Sequence, residues 1–440
     1  MLQRAFIAPT LVLVWGLISL PGPAMAQANR IDTIRSDAPQ LAAYGGAVGV
    51  TTRTVTNPGQ QDIASFKAGA PMPVYDRALT LEVWYPALLT PGQTPAGSYR
   101  ALTRDGKTEV TLHGRAVRDA APQPAGGPYP LLIVSHGYPG NRFLLSHLAE
   151  NLASKGYVVA SIDHADSTYD RQGPFGSTLL NRSLDQLFVL NEMARLGRSD
   201  ATLKGLVNAD HTALIGYSMG GFGALNTVGA GFTAASVGYA WGTPNGALAQ
   251  RQAGTPAHAA SMDARIKAAI AFAPWGWNAG FWDAVGLSGV KTPVLFVAGS
   301  ADDVSGYSPG VRNLFEGAVN APRYLLTYEN ANHNAGAPMP APQETWTPVK
   351  TLDFVPAEHY SDAVWDNVRM NNIAQHFATA FLGKYLKRDA AMDSYLNLVE
   401  YAKDGKMSLE KDGSPKPDHS YWKGFPARTA VGLRLEQRAP

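Results

Sequence analysis

The sequence contains no cysteine. Disulfides, thiolate-bound metals, lipid attachment through a thiol and a cysteine nucleophile are therefore excluded, and stability has to come from packing. Charge is sparse too: 16% of the 440 residues are Asp, Glu, Lys or Arg, and the formal net charge is +2. So nearly neutral a chain gives no reason to expect nucleic acid or an anionic membrane as a partner. Long apolar runs are missing except near the start. There Arg4 precedes an apolar stretch from Ala5 to Leu20, broken by Pro9 and followed by Ala24-Met25-Ala26. That is the form of a secretory signal cleaved after Ala26, and the run is too short and interrupted for a stable membrane anchor. The expectation for residues 1–26 is a signal peptide, and for the mature protein a periplasmic or extracellular location.

What remains is a globular composition, 45% hydrophobic with 44 glycines, long enough for one large α/β domain with additions. Residues 27–402 are expected to form it, with residues 403–440, which include Trp422 and Phe425, as a C-terminal extension. Val48 to Val55 is a strand candidate. Leu79 to Tyr85 alternates apolar and polar residues and stops at Pro86, which predicts a half-exposed strand near a sheet edge. Residues 90–128 are expected to form a loop with a short strand at Glu109 to Leu112. After Pro130 the pattern changes: the apolar run Leu131 to Val134, a helical pattern from Leu144 to Lys155 closed by Gly156, and a second run from Tyr157 to Ile162 make a βαβ unit. Ser183-Leu184-Asp185-Gln186 has the form of a capping box opening a helix. Ile266 to Phe272, Val294 to Val297 and Tyr324 to Tyr328 are further strands, residues 228–262 are a possible partial lid, and Ile373, Phe377, Phe381 and Tyr385 mark a long amphipathic helix. Such alternation predicts a mostly parallel central sheet with helices on both faces.

One stretch organises the rest. Thr212-Ala213-Leu214-Ile215-Gly216-Tyr217-Ser218-Met219-Gly220-Gly221 is an apolar strand running into Gly-x-Ser-x-Gly and then small residues, the order strand, sharp turn, helix. Side chains at 216 or 220 would collide with neighbouring elements, and the new helix would aim unpaired N–H groups at the Ser218 hydroxyl. The same spacing recurs at Gly306-Tyr307-Ser308-Pro309-Gly310, but no apolar strand precedes Ser308. The proline after it also lacks the N–H that an oxyanion hole needs. Ser218 is the candidate nucleophile and Ser308 a loop residue.

A serine nucleophile requires a base and an acid to orient it. The strand Val294 to Val297 leads into Ala298-Gly299-Ser300-Ala301-Asp302-Asp303, placing a carboxylate at a strand's C-terminal end. Asp302 is the preferred acid and Asp303 the alternative. Ten histidines are present; His333, directly after the strand Tyr324 to Tyr328, alone has both order and position. His136 and His164 precede the elbow, His376 lies on the long helix, and His113, His211, His258, His359 and His419 have no strand-end context. The Met219 N–H comes with the elbow, and Tyr138, in the loop after Leu131 to Val134, is the candidate second oxyanion donor. Trp275 and Trp277 crowd another strand end and could wall a substrate pocket or pack a cap segment.

Together, His136-Gly137-Tyr138, Gly216-Tyr217-Ser218-Met219-Gly220-Gly221, Gly299-Ser300-Ala301-Asp302 and Asn330-Ala331-Asn332-His333 resemble the α/β-hydrolase superfamily. They are similar to its dienelactone-hydrolase-like and platelet-activating-factor-acetylhydrolase-like serine esterases, and the Tyr and Met donors also resemble those of bacterial cutinases and polyester hydrolases. The resemblance covers about residues 75 to 390. It implies an α/β-hydrolase fold and cleavage of carboxylic esters, small, lipid or polymeric, through Ser218, Asp302 and His333 with no metal or organic cofactor. A non-catalytic exported binding protein on the same fold is the alternative of another class, and a peptidase is a third, without an evident N-terminal propeller domain. Nothing in the sequence sets the oligomeric state.

Overall fold

The computed structural model describes residues 28–440, so the expected signal peptide lies outside the described residues. The first strands are antiparallel: β1 (Val48–Gln61) pairs with β2 (Val74–Pro86), β3 (Gly97–Leu102) and β4 (Glu109–Gly114) form a separate hairpin, and the short β5 (Val117–Arg118) lies beside β1. There follow β6 (Tyr129–Ser135), α1 (Ser146–Ala153), β7 (Val158–Asp163), α2 (Phe175–Ser199), β8 (Val207–Tyr217), α3 (Met219–Thr227), β9 (Ile266–Phe272), β10 (Val294–Gly299) and β11 (Arg323–Tyr328). A long helix, Asn367–Leu386, and β12 (Leu433–Arg438) complete the chain. Among the described residues the main sheet has ten strands in the order β12-β11-β10-β9-β8-β6-β7-β2-β1-β5, parallel from β11 through to β7.

The apolar runs become central strands because both faces of this sheet are covered. In β6, Leu132 and Val134 join a core shared with α1, the helix Asn367–Leu386 and the tail residues Trp422 and Phe425. Leu131 and Ile133 point the other way, into a core shared with α2 and α3. The period of two in a strand thus feeds two separate cores.

Three expectations are corrected. β2 is near the sheet edge, with only β1 and the two-residue β5 beyond it, but it is not half-exposed: residues 81–86 are all buried. Its alternation is misleading because Glu82, fully buried, is neutralised by Arg118 at 2.6 Å and Arg142 at 3.2 Å. The capping-box pattern at Ser183 opens no helix; Ser183 lies inside α2. Finally, the loop expected over residues 90–128 contains the β3–β4 hairpin as well as β5. The tail beyond residue 403 supplies β12, antiparallel to β11 at the edge of the sheet.

Candidate active site

Ser218 occupies the turn between β8 and α3 with φ 53 and ψ −113. A non-glycine residue in such a backbone costs about 1–3 kcal/mol and persists only where its surroundings hold it. Here its N–H donates to the Phe272 carbonyl at 2.9 Å, and its carbonyl accepts from Phe222 N–H at 2.9 Å and Trp275 N–H at 3.2 Å. A Cβ at Gly216 would lie 2.1 Å from the Gly220 carbonyl oxygen, and one at Gly220 2.1 Å from the Ser135 carbonyl oxygen. Only glycine lets strand and helix approach this closely. Ser308 is exposed on an extended backbone.

Because β10 and β11 are parallel neighbours, the loops after them are adjacent, and Ala301 N–H donates to the Ala331 carbonyl at 2.9 Å. His333 Nδ1 lies 3.0 Å from each carboxylate oxygen of Asp302. Oδ1 of Asp302 also accepts the N–H groups of Val304 and Ser305 at 2.9 and 2.8 Å. Burial pushes the Asp302 carboxyl up, but the bond to His333, its charge and those two N–H groups outweigh it and hold the group below its ordinary value. An ionised carboxylate can only accept, so Nδ1 is the donating nitrogen and Nε2 is the one turned away from Asp302. Asp303 is exposed. Tyr217, the residue before the elbow serine, sets its ring 5.2 Å from the His333 imidazole, and its hydroxyl donates to Asn334 Oδ1 at 2.8 Å.

Tyr138 follows β6 in a loop held from behind by α2. Arg182 Nη1 donates to the His136 carbonyl at 2.6 Å and Nη2 to the Gly137 carbonyl at 2.8 Å. Met219 is the first residue of α3, so its N–H has no partner within the helix.

Ser218, His333, Tyr138 and Tyr217 line one cavity of about 750 Å³. Much of its wall was not anticipated: Arg104 from the β3–β4 turn, and Trp346, Phe354 and His359 from the irregular segment after His333. Asn334 Nδ2 binds that segment to the histidine loop through the Glu358 and Ser361 carbonyls, at 2.8 and 2.7 Å. The one available signal was a cluster of aromatic residues without helical or strand period, which does not say where a loop goes. Residues 228–262 contribute nothing to the described wall, nor do Trp275 and Trp277. Trp275 packs among Phe175, Phe222 and Phe281, with ring centroids 5.6 to 6.0 Å away, and Trp277 is half-buried against the same core.

A second Ser–His–Asp array lies close by. His164 Nδ1 is 2.8 Å from Asp185 Oδ2, and His164 Nε2 is 3.1 Å from Ser135 Oγ, which also accepts from Gln186 Nε2 at 2.9 Å. All three residues are fully buried. Burial, with the positive charge of Arg182 next, holds the His164 imidazole well below its ordinary value, so Nδ1–H donates to Asp185 and Nε2 accepts the Ser135 hydroxyl.

A mostly parallel sheet with a strained serine turn at the end of β8, a carboxylate after β10 and a histidine after β11 defines the class of fold: the chain has the α/β-hydrolase fold. Residues 113–243 match the sequence profile of the PETase family, described as PET hydrolase-like. That segment holds Tyr138 and Ser218 and ends before Asp302 and His333. Cutinase est1 of Thermobifida alba is 25% identical over 210 residues, which are 47% of this chain and 54% of the cutinase. Cutinase 2 of Thermobifida cellulosilytica is 25% identical over 177 residues, 40% of this chain and 49% of that one. The chain thus spans about half the length of the curated relatives it matches. Among solved structures, a ferulic acid esterase from Streptomyces cinnamoneus shares the fold with a TM-score of 0.56 at 18% identity, covering 93% of this chain and 99% of that one.

Proposed function

We propose that the protein is an exported serine hydrolase that cleaves carboxylic esters through an acyl-enzyme. The observation that carries this is the bond between His333 and both oxygens of Asp302 on the wall of the cavity that Ser218 enters from a strained turn. Ser218 Oγ attacks the ester carbonyl carbon while His333 Nε2 takes the hydroxyl proton, and Asp302 steadies the imidazolium that forms. The N–H groups of Tyr138 and Met219 hold the oxyanion. Collapse breaks the bond to the alcohol oxygen, His333 returns the proton to that oxygen, and water then attacks the acyl-enzyme with His333 again as base. Trp275 backs the elbow through its N–H bond to the Ser218 carbonyl.

Cutinases and PET hydrolase-like proteins among the relatives support an ester as substrate, and the mouth of the cavity favours a long or surface-bound one. Val304 and Trp346 line it and are 53% and 61% exposed, apolar surface that a polymer or lipid ester would cover. The leader-like residues 4–26 support export. Hydrolysis of p-nitrophenyl esters of graded chain length and of a polyester film tests this proposal, with Ser218→Ala as control. Turnover is expected in the parent and none above background in the variant. Equal turnover in both, or none in the parent, overturns it.

A further inference from the structure

We propose that Arg182 is a positioning residue for the oxyanion hole: clamped to the carbonyl oxygens of His136 and Gly137, its guanidinium aims the Tyr138 N–H at the developing oxyanion and places a fixed positive charge behind it. The proposal rests on the esterase mechanism above and names a residue outside the acid, base, nucleophile and donors.

The peptide between Gly137 and Tyr138 is trans, and in a planar trans peptide the carbonyl and the N–H point in opposite directions. Arg182 Nη2 holds the Gly137 carbonyl at 2.8 Å on the α2 side, which turns the Tyr138 N–H away from α2. A second bond from His136 Nδ1 to the same carbonyl, at 2.7 Å, restrains it further. A cation bound at the carbonyl oxygen also polarises the amide and makes its N–H a stronger donor.

The cost of keeping this arginine argues that its charge has a use. It is fully buried, its Nε has no partner among the described residues, and no carboxylate among them lies within ion-pair distance of it. Besides the two carbonyls its hydrogen-bond partner among the described residues is the Ser167 hydroxyl, at 2.8 Å. The nearby carboxylates of Asp166 and Asp185 are bound to Arg77 instead, at 3.0 and 2.8 Å. Burial brings Arg182 down to about 10, which leaves it cationic at neutral pH. A neutral amide could hold a loop; a guanidinium adds charge in a place sheltered from water, where charge acts most strongly. The stem of Arg182 also abuts the elbow helix, so closely that a Cβ at Gly223 would lie 2.7 Å from its Cβ. Both oxyanion donors are therefore registered against one side chain.

The test measures kcat and KM on p-nitrophenyl butyrate for the parent, Arg182→Lys and Arg182→Gln, each per mole of folded enzyme from thermal melting. Inhibition by butylboronic acid, which forms a tetrahedral adduct at the serine, is measured alongside. For Arg182→Gln, kcat should fall about 10- to 100-fold, on the scale of losing part of one oxyanion donor. KM should change less than about threefold, and boronate affinity should fall in parallel with kcat. Arg182→Lys, which keeps the charge and loses the fork, should fall less. A folded Arg182→Gln with kcat within about threefold of the parent, a loss confined to KM, or failure of both variants to fold overturns the proposal. Failure of the esterase mechanism shows separately, as an inactive parent or an active Ser218→Ala.

Discussion

Two serines stand at the ends of adjacent strands, and of these two Ser218 lines the cavity while Ser135 is fully buried. Ser135 closes β6 and pairs in register with Gly216 of β8, two residues before Ser218. Ser135 is bonded to one His–Asp pair, and Ser218 lines a cavity with the histidine of another. Ser135 is still inside the strand, with its hydroxyl bonded to His164 and Gln186 beneath the oxyanion loop. Ser218 has passed the strand end and sits on a turn whose strain carries it into the cavity. The histidines differ accordingly: His164 is fully buried and held neutral, with no place for a substrate, whereas His333 reaches the cavity wall. Residue identity and mutual distance therefore do not bring a serine to a cavity; the backbone that lifts the hydroxyl out of the sheet does.

The largest effect expected from breaking this comparison is on turnover. Ser218→Ala should lower kcat about 10⁴-fold or more, leaving whatever the remaining donors and binding supply. Ser135→Ala should leave Ser218 chemistry in place and appear instead in unfolding, at a cost of about 1–3 kcal/mol, because it strands the Gln186 amide and the His164 Nε2 in the core. Initial rates and denaturant titrations of both variants separate the two effects. An inactive, fully stable Ser135→Ala would mean that the buried array takes part in the chemistry.

The carboxylates sharpen the contrast next. Asp302→Asn should cost about 10³- to 10⁴-fold in kcat, since an amide cannot hold the same tautomer and charge on His333. Asp303→Asn, exposed and without a bond to that histidine, should stay within about threefold. Asp185→Asn removes a partner of the buried Arg77 and should destabilise by about 3–5 kcal/mol. Steady-state kinetics on the first two and melting of the third test the assignments; a larger kcat loss for Asp303→Asn would transfer the acid role to it.

How much of this was legible in the sequence follows from how local each cause is. Leu131 to Val134 and Val294 to Val297 could be recognised because a strand covered on both faces needs no polar side. The elbow could be recognised because its glycines answer to steric contacts only a few residues away, 2.1 Å at Gly216. The start of α2 could not. Its first turns bury Ser177, Asn181 and Arg182, which bond to Asp166 and to the carbonyls of a distant loop, so no apolar stripe shows. The cavity wall around Trp346 and Phe354 has no period at all, and its place depends on Asn334 binding Glu358 and Ser361. Residues that act through partners far along the chain leave no local pattern, and His164 and Arg182 are both of this kind.

The smallest effect is on stability in acid, and it isolates the carboxylate beside His333. Asp302 is held below the ordinary 3.8 by His333 and two N–H groups, despite burial. A depressed carboxyl contributes stability that is present above the unfolded value and is lost as pH falls through the folded one. The parent should therefore lose that contribution progressively as pH falls below about 5, while Asp302→Asn, which has nothing to protonate there, should not. The difference in melting temperature between parent and variant is then constant above about pH 5 and moves against the parent below it. Thermal melts of both proteins across this range measure it. A difference that instead moves in favour of the parent would mean that burial prevails at Asp302 and that the carboxyl is protonated too readily to hold an imidazolium.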